Sequence, residues 1–263
     1  MTDVDEFPTL VWFSQADALA HLHEIDASAD VDRVASDLLA CHERLLHMGF
    51  HMLNYGAFEM IGRRVLRIYS MSDLADISFS RLYWKHRLYE SDPRFAALWQ
   101  SGLPATWQVG QVTAYAERTG DSRARMLSNS LRSHEMNAGL TLGLPAPQPD
   151  LRVAVNLTSR AHEIGWINDR TVGGALTIAL TVHRIVQPYI DACVRRTREI
   201  VLSADQAAVL ERLVKGLSDQ EIAAATTSSL HKVASQVRAL QKMFGVENRA
   251  QLVYRAARWG WGR

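Results

Sequence analysis

The sequence predicts an α+β protein in two parts: an N-terminal α/β/α sandwich with an antiparallel sheet, then a C-terminal all-α domain of four helices. Three observations carry that prediction. The chain has 263 residues, which at roughly 100–200 residues per domain suits one large and one small domain. Its first two hundred residues alternate helical and β-rich stretches, whereas beyond Leu202 only short helices with regular start signals follow. Charge divides at the same place, with nine Lys or Arg against five acids from Val201 onward and twenty against twenty-three before it.

The elements follow in order. Val31–His47 puts Val34, Leu38, Leu39, Cys41, Leu45 and Leu46 on one broad helical stripe. Phe50–Phe58 and Arg63–Met71 are short β-rich runs separated by Gly62, and read as a hairpin-like pair. Asp76–Leu98 is helical up to Asp92-Pro93, where proline disfavours helix in the residue before it, and resumes after the break. Ala138–Pro145 and Leu151–Arg160 read as two further strands joined by the turn Pro145 to Asp150. Thr171–Arg198 is a long apolar helix with Pro188 inside it, so a kink or break is expected there. Its apolar residues Leu176, Ile178, Ala179, Val182, Ile185 and Val186 suit either a dimer surface or packing against the sheet.

From Leu202 onward, Ser203 with Gln206, Ser218 with Glu221 and Asn248 with Gln251 have the i, i+3 spacing of capping boxes. Gly216 and Gly245 stand where helices should stop. Four helices are predicted, at about 203–215, 218–225, 229–244 and 248–259. The domains are therefore 1–197 and 203–263, with a linker of a few residues near 197–203.

Composition excludes several classes. Apolar residues make 48% and charged residues 22% of the chain, unlike a disordered or collagen-like protein. No run of about 18 apolar residues exists, and the start MTDVDEFPTLVWF lacks the basic and apolar regions of a secretory signal. A cytoplasmic location, away from membranes, is expected. Cys41 and Cys193 lie too far apart to suggest a disulfide framework or a cysteine zinc site. His21, His23, His42, His47 and His51 fit no closed four-ligand spacing, so no metal or cofactor is expected. Glu90-Ser91-Asp92 stands without a Gly-x-Ser-x-Gly elbow, a phosphate loop or a Rossmann glycine pattern, so no enzyme is expected.

Two short helices joined by the polar turn Ala225 to Ser229, then a longer third helix, match the helix-turn-helix arrangement. In the third, Val233, Val237, Leu240 and Phe244 form a buried stripe. The opposite side carries His231, Ser235, Arg238 and Lys242, flanked by Lys232 and Gln236, groups able to meet phosphates and base edges in double-stranded DNA. The stretch Gly216 to Ala256 resembles the DNA-binding domain of the LuxR family of bacterial transcription regulators. The matching pieces are Gly216-Leu217-Ser218, Glu221-Ile222-Ala223, Val233, Gly245-Val246 and Asn248-Arg249-Ala250-Gln251. The resemblance makes Lys215, Lys232, Ser235, Gln236, Arg238, Lys242 and Arg249 the expected DNA-binding residues. The chain departs from the family where Thr-Val-Lys-x-His becomes Lys232-Val233-Ala234-Ser235-Gln236, and where Gln206 replaces a Glu.

The first part resembles the acyl-homoserine-lactone-binding domain of the quorum-sensing members. Phe79, Tyr83, Asp92-Pro93 and Trp107 follow the family order without a gap, and Gly139 follows after a short insertion placed in a loop around 119–130. The resemblance implies a ligand site in which Asp92 accepts the amide N–H, Tyr83 donates to a carbonyl, Trp107 walls the lactone or acyl region and Asn156 reads the acyl chain. Phe79 stands where the family has a Trp that donates an indole N–H to the lactone carbonyl. Phenylalanine has no donor, so the signal is a lactone held differently, with Trp84 or His86 as substitutes, or another small molecule. The resemblance further implies a homodimer on pseudo-palindromic DNA, with no membrane partner. The alternative is a blocker that forms a heterodimer with a related regulator, favoured by Ala234 and Gln236 and opposed by Arg238, Lys242 and Arg249.

Overall fold

The computed structural model describes residues 8–61, 64–101, 103–148, 150–198, 200, 202–259 and 261. Two compact units divide the chain between Asp191 and Ala192. Part of the linker expected at 197–203 lies outside the described residues, as does Pro149 of the predicted turn.

The larger unit is built on a sheet that, among the described residues, has six strands: β1 (Thr9–Phe13), β2 (Met52–Ile61), β3 (Arg64–Met71), β4 (Ala105–Gln108), β5 (Ala138–Leu144) and β6 (Leu151–Ser159). Their order is β1-β3-β2-β6-β5-β4. Pairings β2–β6, β5–β6 and β4–β5 are antiparallel. The edge strand β1 pairs parallel with β3, so the sheet is mixed rather than antiparallel throughout. The exception has a topological cause: α1 (Gln15–Ile25) and α2 (Val31–His47) intervene between β1 and β2, giving the long connection that parallel strands need.

Helices cover both faces. On one lie α3 (Ile77–Lys85), a short 3-10 turn (Leu88–Ser91), α4 (Pro93–Ser101), α5 (Val109–Thr119) and α6 (Ser122–Ser133). On the other lies α7 (Asp169–Arg198) as far as Asp191, where the larger unit ends. Strand alternation sorts side chains between the faces. Tyr55 of β2 is fully buried on the α7 side, where its hydroxyl lies 2.9 Å from His183 Nδ1 and Phe13 packs on Tyr189. Asn54, its neighbour, shares the opposite face with Asn156 of β6, its register partner.

Several expectations are revised. The helix expected from Asp76 to Asp92 ends earlier, at Lys85, because Arg87 takes a left-handed conformation with φ +52°. The insertion placed in a loop at 119–130 is a left-handed turn at Gly120 followed by α6, which Asp121 caps. α7 runs through Pro188 without a break. Ile178, Ala179, Val182, Ile185 and Val186 are buried within a single chain, so packing uses the residues that a dimer surface would have needed.

The smaller unit holds α8 (Ala204–Val214), α9 (Asp219–Ala225), α10 (Leu230–Met243) and α11 (Arg249–Arg258). Ser203 with Gln206 and Ser218 with Glu221 form complete capping boxes. Asn248 caps α11 through the Gln251 N–H, while Gln251 reaches back one residue further, to the Glu247 N–H. Gly216 and Gly245 adopt φ of +88° and +60° after their helices, the left-handed cap that glycine takes at no steric cost. Val209, Leu213, Ile222, Val233, Leu240, Phe244 and Leu252 form the core.

Candidate binding site

The site begins with α3. Asp76 caps it by accepting from the Phe79 N–H at 3.0 Å, which sets the phase that turns Phe79 and Tyr83, one helical turn apart, toward the sheet. Both are buried, with ring centroids 5.7 Å apart. The second element is the start of α4. Asp92 precedes Pro93, and its Oδ1 accepts the Arg94 N–H at 2.9 Å while its carbonyl accepts from Ala96. This is a helix N-cap followed by proline in the first turn, where its missing N–H costs nothing.

Asp92 is buried, and so is Arg94, whose guanidinium grips it with Nε–Oδ1 at 2.9 Å and Nη2–Oδ2 at 2.8 Å. The Tyr83 hydroxyl donates to the same Oδ2 at 2.8 Å. Burial pushes the Tyr83 pKa well above the ordinary phenol value, with the Asp92 charge adding to it. Burial pulls Arg94 down, but its pairing with Asp92 outweighs this and leaves it raised. At working pH Tyr83 is therefore a neutral phenol and Arg94 a charged guanidinium.

The third element is the sheet. Trp107 of β4 faces Gly139 of β5. A Cβ at Gly139 would lie 2.0 Å from the Leu157 carbonyl oxygen and 2.7 Å from the indole, so only glycine lets the ring lie on the strand. The Trp107 indole N–H and the Thr141 hydroxyl both donate to Asn156 Oδ1 at 3.0 Å.

A cavity of about 70 Å³ lies between α3, α4 and the sheet, several times the roughly 10–15 Å³ that one water needs. Phe79, Tyr83, Asp92 and Asn156, all expected from the sequence, line it together with Asn54, Ser70, Trp84, Arg94, Phe95 and Thr141. Trp107 is not among these lining residues; it stands behind, with the Arg94 guanidinium carbon 4.5 Å from its ring centroid. Of the two substitutes for the missing indole donor, Trp84 gives its N–H to the Ser70 hydroxyl at 3.2 Å, and His86 is exposed at the end of α3. Arg94, Asn54, Ser70 and Thr141 went unread in the sequence. The signals were faint: a cation two residues after a capping Asp, and a lone Asn inside the apolar run Met52–Ile61.

With the geometry in place, the sequence profile of the autoinducer-binding domain matches residues 35–186, more than half of the chain. The chain belongs to the autoinducer-binding family. That is the family of the LuxR-type quorum-sensing regulators, which bind signals and are not an enzyme family. Among solved structures, Escherichia coli SdiA aligns over 94% of this chain and 98% of its own, with a TM-score of 0.54 and 16% identity. SdiA in complex with octanoyl-rac-glycerol aligns over 98% of this chain and 97% of its own, with a TM-score of 0.53 and 15% identity. No curated protein sequence matches significantly. Among the described residues no helix is long and apolar enough to cross a membrane.

The second set of expected residues lies in the smaller unit. Ser229 caps α10, which buries Val233, Val237 and Leu240 and exposes Lys232, Ser235, Arg238 and Lys242; Gln236 is half-buried. Lys215 pairs with Glu211 at 2.5 Å, and Lys232 with Asp205 at 2.7 Å. Arg249 is tied inward, paired with Asp219 and donating to the Leu217 carbonyl at 2.6 Å, so that α11 clamps the start of α9. Arg238 and Lys242 make no ion pair among the described residues.

Proposed function

We propose that the chain is a signal-responsive transcription regulator, in which the larger unit takes an acyl-homoserine lactone or a comparable neutral acyl compound and the smaller unit binds double-stranded DNA as part of a homodimer. The observation that carries this reading is the apolar cavity bounded by Phe79, Tyr83, Asp92 and Asn156 in a domain of the autoinducer-binding family. Filling such a cavity stabilises the folded state by mass action. A thermal-shift panel of acyl-homoserine lactones and acylglycerols of graded length tests it, with a length-dependent rise in melting temperature expected. A folded chain that shifts with none of them refutes it.

DNA binding rests on the exposed face of α10. Substituting Ala for Arg238, which is exposed and unpaired with acids among the described residues, is expected to weaken operator binding by about 1–3 kcal/mol if it reads a base. An electrophoretic mobility shift equal to that of the wild type removes the assignment.

A second reading, a blocker acting through heterodimers, draws on Lys215, Lys232 and Arg249 being held by acids of their own unit. Exposed pairs such as Lys215–Glu211 contribute roughly 0–1 kcal/mol, so phosphates can displace the acids. A salt titration separates the readings: steep salt dependence supports the regulator, and absent or salt-insensitive binding supports the blocker.

A further inference from the structure

We propose that Arg94, through its Nη1 group, is the residue that recognises the signal, donating to a carbonyl oxygen of a neutral acyl ligand, and that Asp92 holds Arg94 in place instead of touching the ligand. The assignment rests on the acyl-signal reading of this cavity and names the atom that reads the signal.

The first ground is that Asp92 has no acceptor capacity left. A carboxylate offers about four lone-pair sites. Oδ1 accepts from the Arg94 N–H and Nε, and Oδ2 accepts from Tyr83 and Arg94 Nη2, with Arg94 Nε also 3.2 Å from Oδ2. An amide N–H could reach Asp92 only by displacing one of these. Asn156 Oδ1 is likewise taken, by Trp107 and Thr141.

The second ground is what remains bare. Arg94 is 8% exposed, it lines the cavity, and its Nη1 is buried with no hydrogen-bond partner. Asn54, on the same cavity wall, leaves both Nδ2 and Oδ1 buried and unpartnered. Buried polar groups are normally satisfied, and a bare charged donor is the costliest kind to leave. These atoms therefore present one fixed cationic donor and one amide able both to give and to accept. That set matches a carbonyl oxygen on Arg94 and an N–H or O–H group on Asn54, with an aliphatic tail among Phe58, Phe79 and Phe95.

The third ground is charge. Asp92 and Arg94 are the ionised groups among the cavity's lining residues, and they neutralise each other. A carboxylate ligand would bury a net negative charge beside Asp92, which a low-dielectric site disfavours. A neutral carbonyl keeps the donor bond without that penalty.

The test uses the full chain and four probes followed by calorimetry: N-octanoyl-homoserine lactone, its ring-opened acid, 1-octanoylglycerol, and the ether 1-O-octylglycerol, which lacks the carbonyl. The wild type is expected to bind the ester about tenfold or more tightly over the ether, the scale of one charge-assisted hydrogen bond, and the lactone more tightly than its acid. Arg94→Lys keeps a cation for Asp92 but loses the planar fork, and is expected to bring the ester-to-ether ratio close to one. That ratio does not move for a merely structural defect. Where Arg94→Lys fails to fold, the double variant Asp92→Asn/Arg94→Gln removes the pair together and is read the same way. Equal ester and ether affinities in the wild type, an unchanged ratio in the variants, or an acid that outbinds its lactone overturns the assignment. A folded wild type that binds none of the four refutes the acyl-signal reading itself, which is a different result from ester binding without discrimination.

Discussion

The two faces of the sheet are packed to different standards. Under α7 the Tyr55 hydroxyl meets His183 at 2.9 Å and Phe13 packs against Tyr189, with Gln187 Oε1 of that helix left bare. Under α3 and α4 the same sheet carries Asn54 with both amide atoms bare, α4 brings Arg94 with a bare nitrogen, and both line a cavity of about 70 Å³. Sequence-adjacent residues, Asn54 and Tyr55, fall on opposite sides of this division. Under the proposed function the signal completes the cavity face. The imperfect packing is what that function needs, because a closed core would leave no room and no unmet hydrogen bond for a ligand.

The largest expected effect is at the glycine on which the binding face depends. Gly139→Ala places a Cβ 2.0 Å from the Leu157 carbonyl oxygen, which forces the backbone to move and should cost about 4 kcal/mol or more. Chemical denaturation should show a large loss or no folded protein at all. Next is Asp92→Asn, which leaves the Arg94 guanidinium buried without its counter-ion and should cost about 3–5 kcal/mol. A denaturation midpoint equal to the wild type's would mean that Arg94 swings out to water. On the opposite face, Tyr55→Phe removes one matched hydrogen bond and should cost about 1 kcal/mol with ligand affinity unchanged; a loss of affinity would break the separation of the two faces.

The smallest effect is a slope with pH. Burial holds the His183 pKa below its usual 6.5, and the same cause acts on His51. A base whose folded pKa is depressed favours the folded state above the unfolded value of 6.5, and that stability drains away as pH falls from there toward the folded value. Melting temperature should therefore decline below about pH 6.5, and His183→Asn should flatten the decline. An unchanged slope in that variant assigns it to other groups.

What was legible in the sequence was local. α2 falls at Val31–His47 as predicted, although Leu39 and Leu46 of its expected stripe are exposed, and the boxes at Ser203 and Ser218 form as spaced, because helix periods and caps are settled within four residues. The order of Phe79, Tyr83 and Asp92 marked residues that do line the cavity. What was not legible depends on distant pairings. β1 has no partner until β3 arrives in parallel. β4 has four residues, too few for a period, and α6 (Ser122–Ser133) is polar enough to pass for a loop. The occupancy of Asp92 was hidden for a different reason. Nothing in Asp-Pro-Arg states that the arginine folds back on the aspartate, since that requires burial, and burial is decided by the sheet behind it.

The register of β2 with β6 also sets a timetable. Asn54 and Asn156 stand side by side on the sheet wall of the cavity, so the ribosome must add roughly a hundred residues after the first half of that wall before the second exists, about 5–20 s at usual rates of synthesis. Through that interval β2 waits with its inner edge unpaired. The sheet wall of the cavity is therefore whole only as the larger unit nears completion.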